Sequence, residues 1–434
     1  MRTGVPTANQ PGQATGPSQG PLVAVLGGRR SLEILKQLGY RVALVNAEIP
    51  LELTLLADVP IEVDLGDWDA VVSQLLRVQR STPVEAVVTQ MDSLVPLAGY
   101  LREQLHLSTG ISFKAALNCR DKARTRAALE AAGVPSAAFR VVESVEDALA
   151  AASLIGYPVI VKPRDAASGA HLMLCRTAEE VKTAAARIFE TGRSSALLEE
   201  FLEGEELVVF AYRSGGRTEL VSCLDVQVGP PPKFVKLGAQ QPSRISAQRL
   251  DAVRDVTERC LAALELDNWV ATVQLMLTAS GPRIIEVNPR VPGGQMVELI
   301  IETTGFDPTR LSLEVALGRV PFRDRPTVRQ AWYRCLTFDQ AGRLYYRAEA
   351  ETEPVPGLHG PRQPVVELDV APGEFVLPIN HPRGGVFGRI ILFGDSDEQL
   401  AHDFERVLGA LSLRLEAVAE ADGEAAWRPH TKCC

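Results

Sequence analysis

Three oxygen-bearing side chains between positions 274 and 288 have the types and spacing of a magnesium site. Glu286 and Asn288 lie two residues apart in a β-branched run. Because side chains alternate between the two faces of a strand, these two would point the same way. Gln274, in a second strand-like run, offers a further oxygen. Mg²⁺ prefers carboxylate and amide oxygens and leaves room for phosphate oxygens, so this stretch predicts a phosphate-linked metal site.

Arg290 follows the same run and adds a cation at its end. A planar guanidinium can hold a carboxylate or a phosphate in a bidentate grip. The turn of Pro292, Gly293 and Gly294 comes next, and glycine there lets the backbone approach a substrate closely. The stretch therefore predicts a substrate site beside the metal. Taken alone, it also fits a buried strand whose glutamate is neutralised by a neighbouring arginine.

Two lysines upstream occupy positions that a lysine rarely takes without a partner. Lys122 lies in the first turn of a helix predicted over 120–132, where the helix dipole prefers anions. Lys162 ends an apolar strand predicted over 157–163, and a buried lysine must pair with an anion. Lys122 is therefore either solvated or a phosphate ligand. Lys162 is either an edge-strand residue in solvent or a phosphate ligand.

A loop of small residues follows Lys162 directly and contains Ser168 and Gly169. The backbone N–H groups of such a loop can approach phosphate oxygens closely. An ordinary hairpin turn can have the same composition. The lysine at the end of the preceding strand favours phosphate binding.

An acidic segment with an apolar centre comes next and contains Glu199, Glu200, Phe201, Leu202 and Glu206. Adenine requires an apolar slot with hydrogen-bond partners for its exocyclic amine, and ribose hydroxyls suit a carboxylate. The segment therefore predicts a nucleoside site. An acidic surface turn is the alternative for this segment alone.

Composition limits the classes of partner. The chain has 434 residues, enough for two to three domains, and a net charge of -9 that gives no basic field for nucleic acid. Its seven cysteines are scattered and lack metal spacing. The longest apolar runs fall far short of the ~20 residues that span a bilayer, and no signal-peptide core begins the chain. We therefore expect a cytoplasmic protein that binds neither nucleic acid nor membrane.

The elements that must position these residues begin after a tail. Residues 1–20 have almost nothing to bury and are predicted to be disordered. Alternating strands and helices over 21–118 predict an open α/β domain. Its turn at Gly27 and Gly28 lacks the dinucleotide-binding pattern, so this domain is interpreted as a scaffold. The segment 89–93 follows a strand, at an edge where such sheets offer substrate contacts.

The remaining chain is divided into a central domain at 119–318, with a lid at about 138–206, and a C-terminal α+β domain at 319–434. Residues 319–329 are rich in proline and arginine and are interpreted as a linker. The turn at 381–385 is either a substrate contact or a surface loop. In the C-terminal domain we predict strands at 330–339, 344–348, 373–378 and 389–393 and a helix at 396–408.

The order of these parts resembles the ATP-grasp superfamily, and within it the carboxylate–amine ligases of the L-amino acid ligase or dipeptide ligase type. The resemblance covers about 21–318, and more loosely the rest. It implies an α/β and α+β protein with the ATP-grasp fold: an N-terminal open α/β (pre-ATP-grasp) domain, a central ATP-grasp domain with a mobile lid, and a small C-terminal α+β domain.

The resemblance also implies roles for the residues. ATP would be bound, with two Mg²⁺ ions for which Mn²⁺ can substitute, and a carboxylate would become an acyl phosphate that an amine converts to an amide. The implied roles are Lys122 and Lys162 on the α- and β-phosphates, Ser168 and Gly169 over the γ-phosphate, Glu199 with the backbone of Glu200, Phe201 and Leu202 on adenine, Glu206 on ribose, Gln274, Glu286 and Asn288 on the metals, Arg290 and Lys162 in catalysis, and Arg290 with Pro292, Gly293 and Gly294 on the substrate.

Three positions depart from the pattern of amino-acid ligases. Gln274 stands where many of them have a carboxylate, although carbamoyl-phosphate-type enzymes also have glutamine there. Ala239 and Thr272 stand where histidines are common in the family. The acyl or amine site is therefore expected to differ from the usual one.

Two alternatives to the ligase remain open. One is a biotin-carboxylase-like or carbamoyl-phosphate-type enzyme that makes carboxyphosphate from bicarbonate, and the other is a non-catalytic nucleotide-binding regulator. The expected partners are a small-molecule carboxylate and an amine. A carrier-protein-bound substrate and a homodimer are also compatible with the family resemblance.

Overall fold

The computed structural model describes residues 20–164, 172–231, 234–381 and 383–418. Several predictions made above fall outside these residues: the disordered tail up to residue 19, the phosphate-loop residues Ser168 and Gly169, the turn residue Pro382, and the end of the chain from residue 419 onwards. Within the described ranges, no helix is long and apolar enough to cross a membrane.

A four-stranded parallel sheet with the order β3-β2-β1-β4 forms the N-terminal part. Its central strand β1 is buried at every residue, as expected for a parallel strand covered on both faces. The open α/β arrangement predicted here is confirmed. Its elements are β1 (Leu22–Leu26), α1 (Arg29–Gln37), β2 (Arg41–Asn46), α2 (Leu51–Leu56), β3 (Val59–Glu62), α3 (Trp68–Gln79), β4 (Val84–Val88), α4 (Val95–Gln104) and α5 (Phe113–Arg120).

The helix predicted over 120–132 begins two residues later than expected. Helix α5 ends at Arg120, and a new helix, α6 (Lys122–Ala131), starts immediately afterwards. Asp121 separates them because its carboxylate accepts hydrogen bonds from the backbone N–H groups of Ala123 (2.9 Å) and Arg124 (3.3 Å). Lys122 is consequently the first residue of α6.

The segment predicted as a lid forms a compact unit with its own sheet, here called the lid sheet. Its strands are antiparallel in the order β5-β8-β6-β7, and two helices pack on it around a separate apolar cluster. The unit ends with β8, and residues 205–206 already belong to the next sheet. Its elements are β5 (Phe139–Val142), α7 (Val145–Ile155), β6 (Val159–Pro163), β7 (Met173–Cys175), α8 (Ala178–Glu190) and β8 (Ala196–Glu200).

An eight-stranded antiparallel sheet, the central sheet, forms the middle of the molecule. Its order is β13-β12-β9-β10-β11-β14-β18-β16, so three strands from the region assigned to a C-terminal domain continue the same sheet, and two of them, β14 and β18, were predicted. The elements are β9 (Glu205–Ser214), β10 (Arg217–Val228), β11 (Lys236–Gln241), α9 (Ala247–Ala263), β12 (Trp269–Thr278), β13 (Gly281–Asn288), α10 (Met296–Thr304), α11 (Pro308–Ala316), β14 (Gln330–Leu336), β16 (Val365–Leu368) and β18 (Gly388–Gly394).

The two faces of the central sheet pack into different cores. Along β9, Leu207 and Val209 pack on the α9 side, and Val208 and Phe210 pack on the α10 side. This alternation follows from the two-residue period of a strand. The α10 face is the one that carries the predicted site residues.

A small three-stranded sheet of order β17-β15-β19 and helix α12 complete the C-terminal part. The strands β16 and β19 were not predicted, and residues 319–329 contain no helix or strand. The remaining elements are β15 (Gly342–Tyr345), β17 (Phe375–Val376), α12 (Asp397–Leu411) and β19 (Arg414–Ala417).

Candidate functional site

The three predicted metal-site residues lie together on one face of β12 and β13. Gln274 is directly opposite Glu286 in the strand pairing, and Thr272 is opposite Asn288. Directly opposed side chains on an antiparallel pair lie close enough to interact. Asn288 follows Glu286 by two residues on β13, so both side chains leave the same face, and Asn288 helps to lower the pKa of the Glu286 carboxylate.

Lys122 reaches this group from the start of α6. Its Nζ lies 3.2 Å from Oε1 of Glu286. Burial alone raises the pKa of Glu286, but Lys122 and Lys162 outweigh burial, and the net pKa lies below its usual value. The site therefore holds an ionised carboxylate facing lysine.

The donor set fits a magnesium ion that arrives with phosphate. Glu286 supplies the one carboxylate of the predicted set, and the described residues contain no group of three or more His, Cys, Asp or Glu side chains that could hold a metal ion. Such a set is too weak for an all-protein metal cage. It suits Mg²⁺, which is commonly held by one or two carboxylates together with substrate phosphates.

Lys162, predicted to require an anion, has one within the protein. Its Nζ lies 2.5 Å from Oε2 of Glu199, and Nε of Arg126 donates to Oε1 of the same carboxylate at 2.7 Å. Burial alone raises the pKa of Glu199, but Arg126 and Lys162 together lower it to about 2. Both carboxylate oxygens are thus bound to cations, so the side chain predicted to contact adenine is held inside the protein.

Arg126 is a site residue that the sequence analysis did not identify. It lies four residues after Lys122 on α6, so both project from the same side of the helix, and this spacing was the available signal. Besides Glu199, its guanidinium donates to the backbone carbonyls of Ile284 (3.3 Å) and Ile285 (2.5 Å) on β13. Arg126 therefore connects the lid sheet to the strand that carries Glu286.

The predicted adenine hinge follows β8. The two carboxylate oxygens of Glu200 accept hydrogen bonds from Arg283, each at 2.7 Å, and these lower the pKa of Glu200. The ring of Phe201 lies 6.1 Å from that of Phe234, and Leu202 is buried. The hinge is therefore held by polar contacts on one side and by apolar contacts on the other.

Glu206 lies near the start of β9 with its carboxylate buried. Burial raises its pKa, partly offset by Lys236, whose Nζ lies 3.7 Å from Oε1. That oxygen has no hydrogen-bond partner among the described residues. A buried acceptor without a donor is costly, which is consistent with a ligand hydroxyl at this position.

Arg290 is held by hydrogen bonds to main-chain carbonyls. The guanidinium donates to the carbonyl of Val291 at 2.9 Å, and the hydroxyl of Thr272 donates to the carbonyl of Arg290 at 2.8 Å. Gly294 has φ +62, which explains the glycine there. Within the described residues, no carboxylate pairs with Arg290, so its guanidinium is available to a substrate anion.

Two further predicted regions are less tied to this face. In the segment 89–93, Thr89 donates to the carbonyl of Leu26 at the end of β1 (2.9 Å). Gln90 donates to the hydroxyl of Ser312 on α11 (2.7 Å), so the segment that follows β4 contacts both β1 and α11. Ala239, which replaces a family histidine, is opposite Tyr333 of β14 and fully buried.

Comparison with known proteins gives a family for the central part. Residues 119–294 match the family model of the ATP-grasp domain, and this range contains every predicted nucleotide, metal and substrate residue. An uncharacterized protein, y4rH, from Sinorhizobium fredii is 27% identical over 321 residues, covering 72% of this chain and 64% of that protein. The alanine–anticapsin ligase of Bacillus amyloliquefaciens is 28% identical over 271 residues, 57% of each chain. The chain thus spans less than two thirds of these relatives.

A solved structure shows the fold. The L-amino acid ligase from Bacillus licheniformis superposes with a TM-score of 0.70 over 93% of this chain and 100% of that chain, at 19% identity. The predicted ATP-grasp fold is therefore confirmed.

Proposed function

We propose that this chain, which contains an ATP-grasp domain, is an ADP-forming carboxylate–amine ligase. It would activate a carboxylate, that of an amino acid, as an acyl phosphate and join it to an amine in an amide bond. The observation that carries this proposal is that Gln274, Glu286 and Asn288 lie with Lys122 on one face, close to Arg290, for which the described residues supply no carboxylate partner. The similarity to an alanine–anticapsin ligase supports an amino acid as one substrate.

The chemistry explains why the site contains cations and oxygen donors. A carboxylate is a poor electrophile, and accepting the γ-phosphoryl group of ATP gives it a good leaving group. Such a transfer depends on positioning and on neutralising charge, so a protein nucleophile is not required. Mg²⁺, for which Mn²⁺ would substitute, would be held by Gln274, Glu286 and Asn288 and would neutralise polyphosphate charge.

The remaining residues would bind and orient the substrates. Lys122 and Lys162 would contact the phosphates, with Ser168 and Gly169 in the loop above them. The hinge at 199–202 and Glu206 would bind the nucleoside. Arg290 would hold the acyl group against the turn of Pro292, Gly293 and Gly294. The lid sheet would exclude water, because an acyl phosphate hydrolyses readily.

The domain limits at 118 and 318, a homodimer and a carrier-bound substrate remain parts of this proposal. A second candidate is carboxyphosphate formation from bicarbonate, which the glutamine at position 274 favours.

The test is a phosphate-release screen with Mg·ATP across single amino acids and pairs, followed by mass spectrometry of the products. Phosphate together with a new amide mass is expected, and both should be absent with the Glu286→Gln variant. Phosphate released with bicarbonate alone would favour the second candidate. No ATP turnover with any carboxylate, in a protein that binds ATP, would contradict the ligase proposal.

A further inference from the structure

The lid sheet is joined to the rest of the molecule by two chain segments that run side by side. The entry segment, 135–138, leads into β5, and the exit segment, 200–204, leaves β8. The entry segment lies along β13, since Ser136 forms a bridge with Ile284 and the N–H of Ile284 donates to the carbonyl of Pro135 at 2.9 Å. Any reorientation of the lid sheet must pass through these two segments.

One arginine of β13 contacts both segments. Arg283 donates to the two oxygens of Glu200 in the exit segment, each at 2.7 Å. It also donates to the carbonyl of Ser136 in the entry segment, from Nε at 3.2 Å and from the second terminal nitrogen at 2.7 Å. The same Glu200 carboxylate accepts the N–H of Ala138 at 3.1 Å, which closes the arrangement.

A second arginine holds the opposite side of the same strand end. Glu199 and Glu200 are adjacent in β8, so their side chains leave opposite faces. Arg126 binds Glu199 on the buried side and continues to the carbonyls of Ile284 and Ile285. Both arginines therefore connect the end of β8 to β13, one to three residues before Glu286.

We propose that Arg283, with Arg126 on the opposite side, is a positioning residue that sets the orientation of the lid sheet relative to the metal-site strand β13. This proposal rests on the proposed nucleotide-binding function of that site. The lid sheet carries Lys162 and β13 carries Glu286, so this pair of arginines determines how the two halves of the nucleotide site face each other. Arg283 would act through Glu200 and Ser136 without touching the nucleotide.

A role of Arg283 in orienting the lid sheet can be distinguished from a role in stabilising the fold, because the ion pair of Arg283 and Glu200 is partly exposed. The side chains of Arg283 and Glu200 are 24% and 32% exposed. Partly exposed ion pairs contribute little to the free energy of unfolding, and a bidentate pair such as this one can contribute more, so the unfolding temperature of each variant is measured alongside its affinity. Nucleotide affinity, in contrast, is proportional to the fraction of molecules whose lid sheet has the orientation that binds nucleotide. Affinity therefore falls by the same factor as that fraction.

The test measures ADP affinity by titration calorimetry in the presence of Mg²⁺, for the full chain and its variants. With Arg283→Met we expect ADP affinity to fall about 3–10-fold, as the competent fraction of lid orientations falls by the same factor. The apparent KM for ATP should rise similarly, and kcat at saturating ATP should stay within about twofold because the bound lid is complete again. Arg283→Lys keeps the charge but cannot bridge both segments. Its ADP affinity should lie between that of the unsubstituted chain and that of Arg283→Met.

A double-mutant cycle gives the sharpest readout. Arg283→Met and Glu200→Gln should each weaken ADP binding, and the double variant should bind no more weakly than the worse single variant. Arg259→Met is the matched control, because Arg259 donates to the carbonyl of Gly133 at 2.6 Å near the entry segment and has, within the described residues, no hydrogen bond or ion pair with the exit segment. It should bind ADP as the unsubstituted chain does.

The outcomes separate the two proposals. If the unsubstituted chain does not bind ADP, the nucleotide function itself fails. If it binds ADP and the Arg283 variants bind equally well, or if the effects of Arg283→Met and Glu200→Gln add fully, the positioning role is excluded. A fall in kcat with unchanged affinity would also overturn it.

Discussion

The ammonium of Lys162 and the carboxylate of Glu199 lie 2.5 Å apart, with side-chain exposures of only 10% and 5%. Arg126 takes the other carboxylate oxygen, so this buried group contains two cations and one anion. Its net positive charge faces the Glu286 side of the site, since Lys162 lowers the pKa of Glu286. Glu286 compensates part of this charge, and a polyphosphate would complement the cluster further.

Replacing Lys162 should affect nucleotide binding and stability together. In Lys162→Met, Glu199 keeps Arg126 but loses one buried partner, which should lower the free energy of unfolding by about 1–3 kcal/mol. ADP affinity should fall at least about 10-fold with loss of a charge-assisted phosphate contact. The control is Lys182→Met on α8, whose side chain is 59% exposed and which should change neither quantity. Unchanged ADP affinity in Lys162→Met would reduce this lysine to a structural residue.

The same cluster predicts a pH dependence of stability. The folded pKa of Glu199 is about 2, below its ordinary 4.5, so the folded state binds fewer protons than the unfolded state between these values. Its contribution, roughly 3 kcal/mol, is complete above the unfolded pKa and is lost as pH falls toward the folded pKa. Denaturant unfolding at pH 5.5 and pH 3 should therefore show a smaller loss in Glu199→Gln than in the unsubstituted chain. Equal losses would mean that Glu199 is not held ionised.

Much of the candidate site was predictable because it depends on local properties. The two-residue period of a strand places Glu286 and Asn288 on one face whatever β13 pairs with. The cost of burying a lysine predicts that Lys162 has an anion nearby. The identity of that anion was not predictable, because it depends on the pairing of β6 with β8.

The contacts that were missed join residues distant in the sequence. Arg126 and Arg283 meet their glutamates across 73 and 83 residues, and an arginine by itself gives no sign of such a partner. The continuation of the central sheet through β14, β18 and β16 is equally non-local. Hydrophobic periodicity predicts that a strand exists but does not give its neighbour.

The role of Gln274 can be tested by adding a charge. In Gln274→Glu, a second carboxylate would lie directly opposite Glu286, and like charges in that position destabilise a strand pair. We expect a lower unfolding temperature in EDTA, recovery with Mg·ADP, and a lower half-saturating Mg²⁺ concentration for phosphate release. Gln227→Glu, on an exposed position of β10, is the control. An unchanged Mg²⁺ dependence would remove Gln274 from the metal site.

Loss of the pair of Lys122 and Glu286 should affect activity more than stability, in contrast to loss of the more deeply buried pair of Lys162 and Glu199. The side chains of Lys122 and Glu286 are 15% and 29% exposed. Glu286→Gln keeps the size of the side chain and one acceptor oxygen but removes the one carboxylate of the predicted metal set. Phosphate release should fall about 10²-fold or more, as expected when charge stabilisation is lost from a transferring phosphoryl group. The unfolding temperature should change little, because a partly exposed ion pair contributes about 0–1 kcal/mol. Glu205→Gln is the control, with a side chain 67% exposed on β9 of the same sheet. Near-normal phosphate release from Glu286→Gln would show that Lys122 and Glu286 form only a structural pair.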